Sequence, residues 1–385
     1  MSRMLYIVII VVFIDTFIQL PIITPYALSL GATETLAGAI VAVYSLANMA
    51  GNVIGGHWID RIGRRPVLVI GMVSVGVILL FYPLAQSGEQ LFVIRLIHGL
   101  AGGVLIPGAF ALIGDRSSTQ QGGRTMAFAG ASIGIAAITG PAIGGALAAQ
   151  GEYSAVFLFV AGLFLVTVLV AYRYIPGQST PGARGQVQLG DFVPLIKNLT
   201  LLQASLAAFA LMISNGTLAF ALPLKIGEID FTSAMTGMLL SLYGITALVI
   251  FVTPLNRVYE RVAPLKLVVA GLILIAASLG LVSFVEHIAL LVTAMVIYGT
   301  GFALIFPSMN QMVANASTAL DRGKAYGIFY AFFSLGVVAG SSVAGFVAEQ
   351  WGVPFTFGSG LILICALVLA VLSPIKQTKG TSAAS

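Results

Sequence analysis

Asp15 follows ten apolar residues, 5–14, near the start of the chain. If that run is a membrane span beginning near residue 4, Asp15 lies about 16 Å deep at 1.5 Å per residue. An ionisable group at such depth is expensive and marks a functional site by default. Apolar burial favours the protonated acid, whereas a neighbouring guanidinium favours the carboxylate. A group held between those influences can load and release a proton. Two residues that could hold it, Arg95 and His98, stand three apart in a later apolar run, and with Asp15 they are the candidate proton-coupling residues. A charge near mid-membrane costs about 3 kcal/mol on insertion scales, so Arg95 is expected to face the interior with a partner. The other reading is an arginine that snorkels to the headgroups from two turns inside its span. For Asp15 the rival is a static pair with Arg95 or His98 that only ties helices together. Further polar and aromatic residues fall inside apolar runs: Gln19, Tyr44, Asn48, Phe110, Asn215, Tyr243, Tyr298, Asn310, Tyr330 and Phe333, with Asn52, Phe306 and Gln311 beside them. Any single one can serve helix packing. As a set they are candidate substrate-binding residues for a large amphipathic molecule.

The elements that must position these groups are membrane helices. Of 385 residues, 59% are hydrophobic and only 8% charged, against roughly 25% charge in soluble domains. A chain this poor in charge cannot cover a water-facing surface. With about 20 residues needed per crossing, spans are predicted near 4–29, 35–57, 66–86, 89–114, 124–150, 153–175, 199–223, 232–256, 265–284, 287–314, 323–349 and 353–373. The expected fold class is an all-α membrane protein of twelve helices in two pseudo-symmetric six-helix bundles. The expected division is a first bundle at 1–175, a polar cytoplasmic linker at 176–198, a second bundle at 199–373 and a cytoplasmic tail at 374–385. The end of the linker, 187–196, has the composition of a short surface helix. The N-terminal run reads as a first span and not a cleaved leader, because Asp15 breaks its apolar core and no small-residue cleavage site follows. With both termini cytoplasmic, sixteen of the 18 basic residues fall on the cytoplasmic side, and the opposite loops hold Glu34, Glu89, Glu152, Glu228, Asp230, Glu286 and Glu349 with only Lys225. That bias is the positive-inside pattern. It explains the net charge of +5 without nucleic acid, since no basic stripe exists. An internal repeat is also visible at a shift of 200: Gly99 and Pro107 match Gly299 and Pro307, Gly140 and Gly145 match Gly340 and Gly345, and Asp15 matches Asn215. Paired halves of this kind place a site between them at the midplane.

The loop between the second and third spans reads Gly56-His57-Trp58-Ile59-Asp60-Arg61-Ile62-Gly63-Arg64-Arg65. It resembles the signature loop of the major facilitator superfamily at every fixed position. Gly56 is expected to allow close helix contact. Asp60 can accept from the N-terminus of a neighbouring helix and so favour one conformational state, while Arg61, Arg64 and Arg65 meet anionic lipid. A role in topology alone is the alternative. Arg95-Leu96-Ile97-His98-Gly99 resembles a second motif of the family, in which His98 stands where glutamine is usual. Gly140-Pro141-Ala142-Ile143-Gly144-Gly145 is similar to the family's antiporter motif, which the resemblance links to export and to sealing the outer gate; generic packing of small residues is the alternative. The candidate gating residues are therefore Gly56, Asp60, Arg61, Gly63, Arg64, Arg65, Gly140, Pro141, Gly144 and Gly145. An acid in the first span is a feature of the family's drug:proton antiporter branch, which Asp15 resembles.

No phosphate-binding loop occurs, because the only Gly-Lys pair, Gly323-Lys324, is followed by Ala325. Gly130-Ala131-Ser132-Ile133-Gly134 fits a hydrolase pattern but lies inside a span, where the required strand-to-helix turn is missing. The single cysteine, Cys365, permits neither an intramolecular disulfide nor a cysteine metal cluster. The expectation is a non-enzymatic, cofactor-free transporter of the cytoplasmic membrane, working as a monomer with a small-molecule substrate, protons and the bilayer as partners. The leading expectation is proton-coupled efflux of hydrophobic or amphipathic compounds. The rivals are transport of a defined metabolite (a sugar, an amino acid or a lipid-linked compound) and a sensor or lipid-handling protein of transporter build.

Overall fold

The protein is described by a computed structural model covering residues 2–114, 122–174, 192–318 and 321–372. The side chains of Asp60 and Phe110 lie outside the described residues, as do residues 176–191 of the expected linker and the tail 374–385. The helices run in order as α1 (Ser2–Ile18), α2 (Ile23–Ser29), α3 (Glu34–Ile62), α4 (Arg64–Leu79), α5 (Gly88–Gly114), α6 (Gly122–Leu147), α7 (Tyr153–Tyr174), α8 (Val193–Ile196), α9 (Leu199–Glu228), α10 (Ser233–Val252), α11 (Val258–Arg261), α12 (Pro264–Phe284), α13 (Ile288–Asn315), α14 (Arg322–Trp351) and α15 (Pro354–Val371). Among the described residues eleven are long and apolar enough to cross a bilayer, and α1 with α2, taken as one span broken by a 48° bend, makes a twelfth. Only helices satisfy their own backbone groups in hydrocarbon, so twelve apolar stretches give twelve helical crossings. Of the predicted surface helix at 187–196, residues Val193–Ile196 are helical.

The first span is therefore not one continuous helix. Pro21 and Pro25 lack amide hydrogens and crowd the preceding turn, and the chain passes through turns at 19–22. Asp15 sits in the last turn of α1 and Gln19 at the break. The Gln19 side chain donates back to the Asp15 carbonyl at 3.0 Å, which satisfies one group the break exposes.

Glycines decide how closely the helices pack. Within the first half, a Cβ on Gly99 would lie 2.5 Å from the Tyr44 carbonyl oxygen, and one on Gly103 would strike Asn48 and Asn52 of α3. In the second half Gly299 meets the Tyr243 carbonyl oxygen at the same 2.5 Å. Between the halves, Gly38 of α3 faces Ser341 and Gly345 of α14, while Gly237 of α10 faces Pro141 and Gly145 of α6. These are the same contacts exchanged between the two copies, as a two-fold relation requires. Tyr44 and Gly38 pair with Tyr243 and Gly237, so this span sits one residue out of the register of 200.

The two ends of the bundle differ in charge, one carrying the basic loops and the other the acidic ones. The close contacts between the halves lie toward the acidic end. Besides the glycines, Ser241 Oγ donates to the Ile138 carbonyl at 2.6 Å, Thr24 Oγ1 to the Ala219 carbonyl at 3.3 Å, and the Thr35 amide to Glu349 Oε2 at 2.9 Å. The last places a carboxylate from one half on the first turn of a helix from the other, where the helix dipole favours it.

Candidate functional site

Asp15 is 1% exposed and Arg95 6% exposed, and His98 is fully buried. The three come from α1 and α5, which the Gly99 contact holds against α3. Arg95 does not snorkel. It also makes no direct pair with Asp15. Its Nη1 donates to Gln19 Oε1 at 2.6 Å, and Gln19 Nε2 donates in turn to Asp15 Oδ1 at 2.8 Å. Arg95 Nε reaches the Ile40 carbonyl at 3.4 Å, and the guanidinium lies 4.3 Å from the centre of the Tyr44 ring. The Tyr44 hydroxyl stands 3.4 Å from Thr16 Oγ1. Thus Gln19 and Tyr44, expected among the substrate-binding residues, are taken up in the charge network. A guanidinium can only donate, so the amide oxygen of Gln19 must face Arg95, and its NH2 is then left for the carboxylate.

The direct partner of Asp15 is His98, whose Nε2 lies 3.1 Å from Oδ2. Its other nitrogen, Nδ1, lies 2.8 Å from the hydroxyl of Tyr82. Tyr82 follows α4 in a short 3-10 turn and is fully buried. Its ring stacks on Phe157 of α7 at 4.1 Å, and its carbonyl accepts from the Tyr26 hydroxyl of α2 at 2.5 Å. Sequence reasoning missed Tyr82, because a tyrosine at a span end looks like an ordinary interfacial aromatic. Its one sequence signal is the repeat, in which Val282 takes its place.

The second half builds the same geometry without charge. Asn215 replaces Asp15, Tyr298 replaces His98 and Met295 replaces Arg95. The Tyr298 hydroxyl lies 2.8 Å from Ser214 Oγ. Tyr243 and Tyr298 are buried and pack edge to face at 5.1 Å. Among the other expected substrate residues, Asn48 accepts from Asn52 Nδ2 at 3.1 Å, and Asn310 donates to the Phe306 carbonyl of its own helix. Tyr330 is 54% exposed and stacks with Tyr326, with Phe333 beside it. The set therefore divides into two closed clusters, an open aromatic group on α14, and Asn48 and Asn310, which bond within their own helices.

The loop residues differ from expectation at one point. A Cβ on Gly56 would meet nothing within 4 Å; the close approach belongs to Gly55, which lies against Val104. Gly63 joins α3 to α4 at φ 88° and ψ 164°, a conformation essentially confined to glycine. Arg65 donates to the Tyr172 carbonyl at 2.5 Å and lies over its ring at 4.9 Å, while Arg61 is exposed and Arg64 half-buried. In the equivalent loop of the second half, Tyr259 donates to the Ala303 carbonyl at 2.9 Å, and burial pushes its hydroxyl up to about 12, so it stays a donor. In the glycine run of α6, Gly140 and Gly144 face Phe17 and Ile18 of α1, whereas Gly145 and the Pro141 carbonyl face α10 of the other half.

Among known proteins, the family model described as Major Facilitator Superfamily matches residues 5–202 and 204–384. The Multidrug resistance protein MdtG of Salmonella paratyphi C (strain RKS4594) is 23% identical over 361 residues, covering 90% of this chain and 89% of its own. That of Enterobacter lignolyticus (strain SCF1) is 24% identical over 361 residues, covering 91% and 85%. Among solved structures, the human organic anion transporter MFSD10 superposes with a TM-score of 0.69 at 18% identity over 96% of this chain and 98% of that one. The peptide transporter POT in complex with alafosfalin does so with a TM-score of 0.80 at 13% identity, over 97% and 94%.

Proposed function

The chain belongs to the major facilitator superfamily, and from that premise we propose that it is a proton-coupled exporter of hydrophobic or amphipathic small molecules, working by alternating access. That it is a multi-pass membrane transporter and no enzyme follows from the family. The finer reading rests on one observation: a buried carboxylate, Asp15, joined to an imidazole and screened from a buried guanidinium by an amide. Such a cluster can exist with the carboxylate ionised and can also accept one proton without leaving an isolated anion. The distant MdtG relatives carry multidrug resistance in their name, which supports drug-like cargo.

On this reading the bundles at 1–175 and 199–373, joined by 176–198, rock about the Asp15 level in the cytoplasmic membrane. The basic loops and both termini face the cytoplasm, by the positive-inside rule. The close contacts between the halves then lie on the outer side, and on this reading the exposed aromatics Tyr330 and Phe306 meet cargo entering from within. Gly140, Pro141, Gly144 and Gly145 seal the outer side, and the loop around Gly63 and Arg65 steadies the inner one. Protons entering from outside exchange for substrate at Asp15.

The test is export of a panel of amphipathic dyes from inverted membrane vesicles under an imposed pH gradient. Asp15→Asn is expected to abolish gradient-driven transport while keeping gradient-independent exchange of the same dyes. Transport by Asp15→Asn at the wild-type rate with unchanged proton dependence would refute the mechanism. Competition dominated by a single sugar, amino acid or lipid would favour the metabolite carrier instead.

A further inference from the structure

Gln19 holds both sides of the break in the first span. It is 2% exposed and lies between α1, which ends at Ile18, and α2, which begins at Ile23. Its side chain reaches back to α1. A guanidinium only donates, so the contact of Arg95 with Oε1 at 2.6 Å fixes the amide with Nε2 toward Asp15. The two hydrogens of Nε2 then serve one residue, the Asp15 carboxylate Oδ1 at 2.8 Å and the Asp15 main-chain carbonyl at 3.0 Å. The Gln19 backbone serves α2 instead. Its carbonyl accepts from the amides of Ile22 and Ile23 at 3.1 and 3.0 Å. From there α2 is bonded onward at two buried places, Thr24 Oγ1 to the Ala219 carbonyl of the second half and the Tyr26 hydroxyl to the Tyr82 carbonyl of the first. One residue thus ties the carboxylate to a helix that touches both halves at the acidic end.

Pro21 and Pro25 make the break, but neither can respond to a proton. The Gln19 bond can. A hydrogen bond to an ionised group is roughly twice as strong as one between neutral groups. A proton on Asp15 therefore weakens the bond from Gln19 to Oδ1 and leaves Arg95 without its counter-anion behind the same amide. Resting on the proton-coupled reading above, we propose that Gln19 is a positioning residue of that transport cycle: it holds α2 at its angle to α1 while Asp15 is ionised, and lets α2 pivot about residues 19–22 once Asp15 carries a proton. Loading at the buried acid is in this way passed to the Thr24 contact between the halves. A Gln19 that only repaired the break would leave α2 in one place in both states. The titratable groups around Asp15 are His98 directly and Arg95 through Gln19, both from α5, Tyr44 from α3 beside Thr16, Tyr82 beyond His98, and Tyr26 of α2 with Tyr153 of α7 behind it. α6 meets α1 through Gly140 and Gly144. Of these groups His98 is the one that can also take up a proton near neutral pH, so the test separates it from Asp15.

Ser29 at the end of α2 and Trp58 near the basic end of α3 are both exposed and both belong to the first half, so rocking of rigid halves leaves their separation unchanged. Spin labels are placed there in the full-length protein by Ser29→Cys and Trp58→Cys in a Cys365→Ser background. The pair Leu84→Cys and Trp58→Cys, which omits α2, is the control. Between about pH 8 and about pH 5, the distance distribution from 29 to 58 is expected to shift while that from 84 to 58 stays fixed. Asp15→Asn, a neutral stand-in for the loaded acid, is expected to show the low-pH distribution at both values. Gln19→Leu is expected to lose the response to pH. An unshifted distribution without either substitution overturns the proposal even if the variants do not fold. So does a Gln19→Leu protein that keeps the shift. An Asp15→Asn protein that still shifts assigns the response to His98 and overturns it as well. If instead Asp15→Asn keeps proton-driven export while the distances behave as expected, the functional reading fails and the positioning role of Gln19 does not.

Discussion

Arg95 and Asp15 never touch, yet each depends on the other through Gln19. Removing one member of a buried charge pair leaves the other uncompensated, at about 3–5 kcal/mol. The second half shows the neutral alternative, with Asn215 and Met295 at the matching positions, the latter fully buried. Arg95→Met alone is therefore expected to lower the thermal midpoint of the purified protein markedly. Adding Asp15→Asn should recover a large part of that loss, because the anion goes with the cation. Additive losses in this double-mutant cycle would mean the two residues are not coupled. The existence of a buried acid was legible in the sequence, since depth follows from counting residues. Its partners were not. Whether Arg95 meets Asp15 directly or through an amide depends on rotamers at a bend, and Tyr82 comes from a turn about seventy residues away in the chain.

At the scale of helices, two sorts of glycine contact have different consequences. Gly103 presses on α3 within one half, whereas Gly38 and Gly237 press across the boundary between halves. A side chain forced into a fixed contact strains it by about 1–3 kcal/mol. A side chain forced into a contact that opens during transport can be relieved by opening. Gly103→Val is thus expected to lower the thermal midpoint by several degrees. Gly237→Val should leave it nearly unchanged and make Ser233→Cys reactive to a membrane-impermeant maleimide in a Cys365→Ser background. Equal destabilisation by both, with no gain in labelling, would show that the acidic-end contact is as rigid as the interior of a half. The bend between α1 and α2 belongs to this scale too. Pro21 and Pro25 were plain in the sequence, but prolines occur inside α5, α6, α9 and α13 without breaking them. Two prolines within one turn, beside a glutamine able to satisfy a freed carbonyl, distinguish the broken span.

For the whole molecule, the exchanged contacts Gly38 to Ser341 and Gly237 to Pro141 relate the two halves by a two-fold, and on the proposed reading those halves rock as units about the level of Asp15. Rocking moves the two ends in opposite senses. Spin labels at Leu84 and Phe231 report the acidic end, and labels at Trp58 and Leu255 the basic end; all four side chains are exposed. In Gly237→Val, the acidic-end distance is expected to lengthen and the basic-end distance to shorten together. A change at one end alone would rule out motion of two rigid halves.

The sequence by itself determined the membrane class, the twelve crossings, the two copies and the burial of Asp15. Those depend on apolar length, loop charge and spacing, which are local and additive along the chain. It also pointed to glycines as the packing contacts, though it chose Gly56 where Gly55 makes the approach, because neighbouring positions on a helix face different ways and only the packed structure selects the face. Tertiary structure alone decided at which end the halves make their close contacts, which polar residues are exposed and which are sealed away, and that Asp15 meets His98 directly and Arg95 only through Gln19. Such facts depend on hydrogen-bond direction between side chains brought together from separate helices, and no spacing along the chain encodes them.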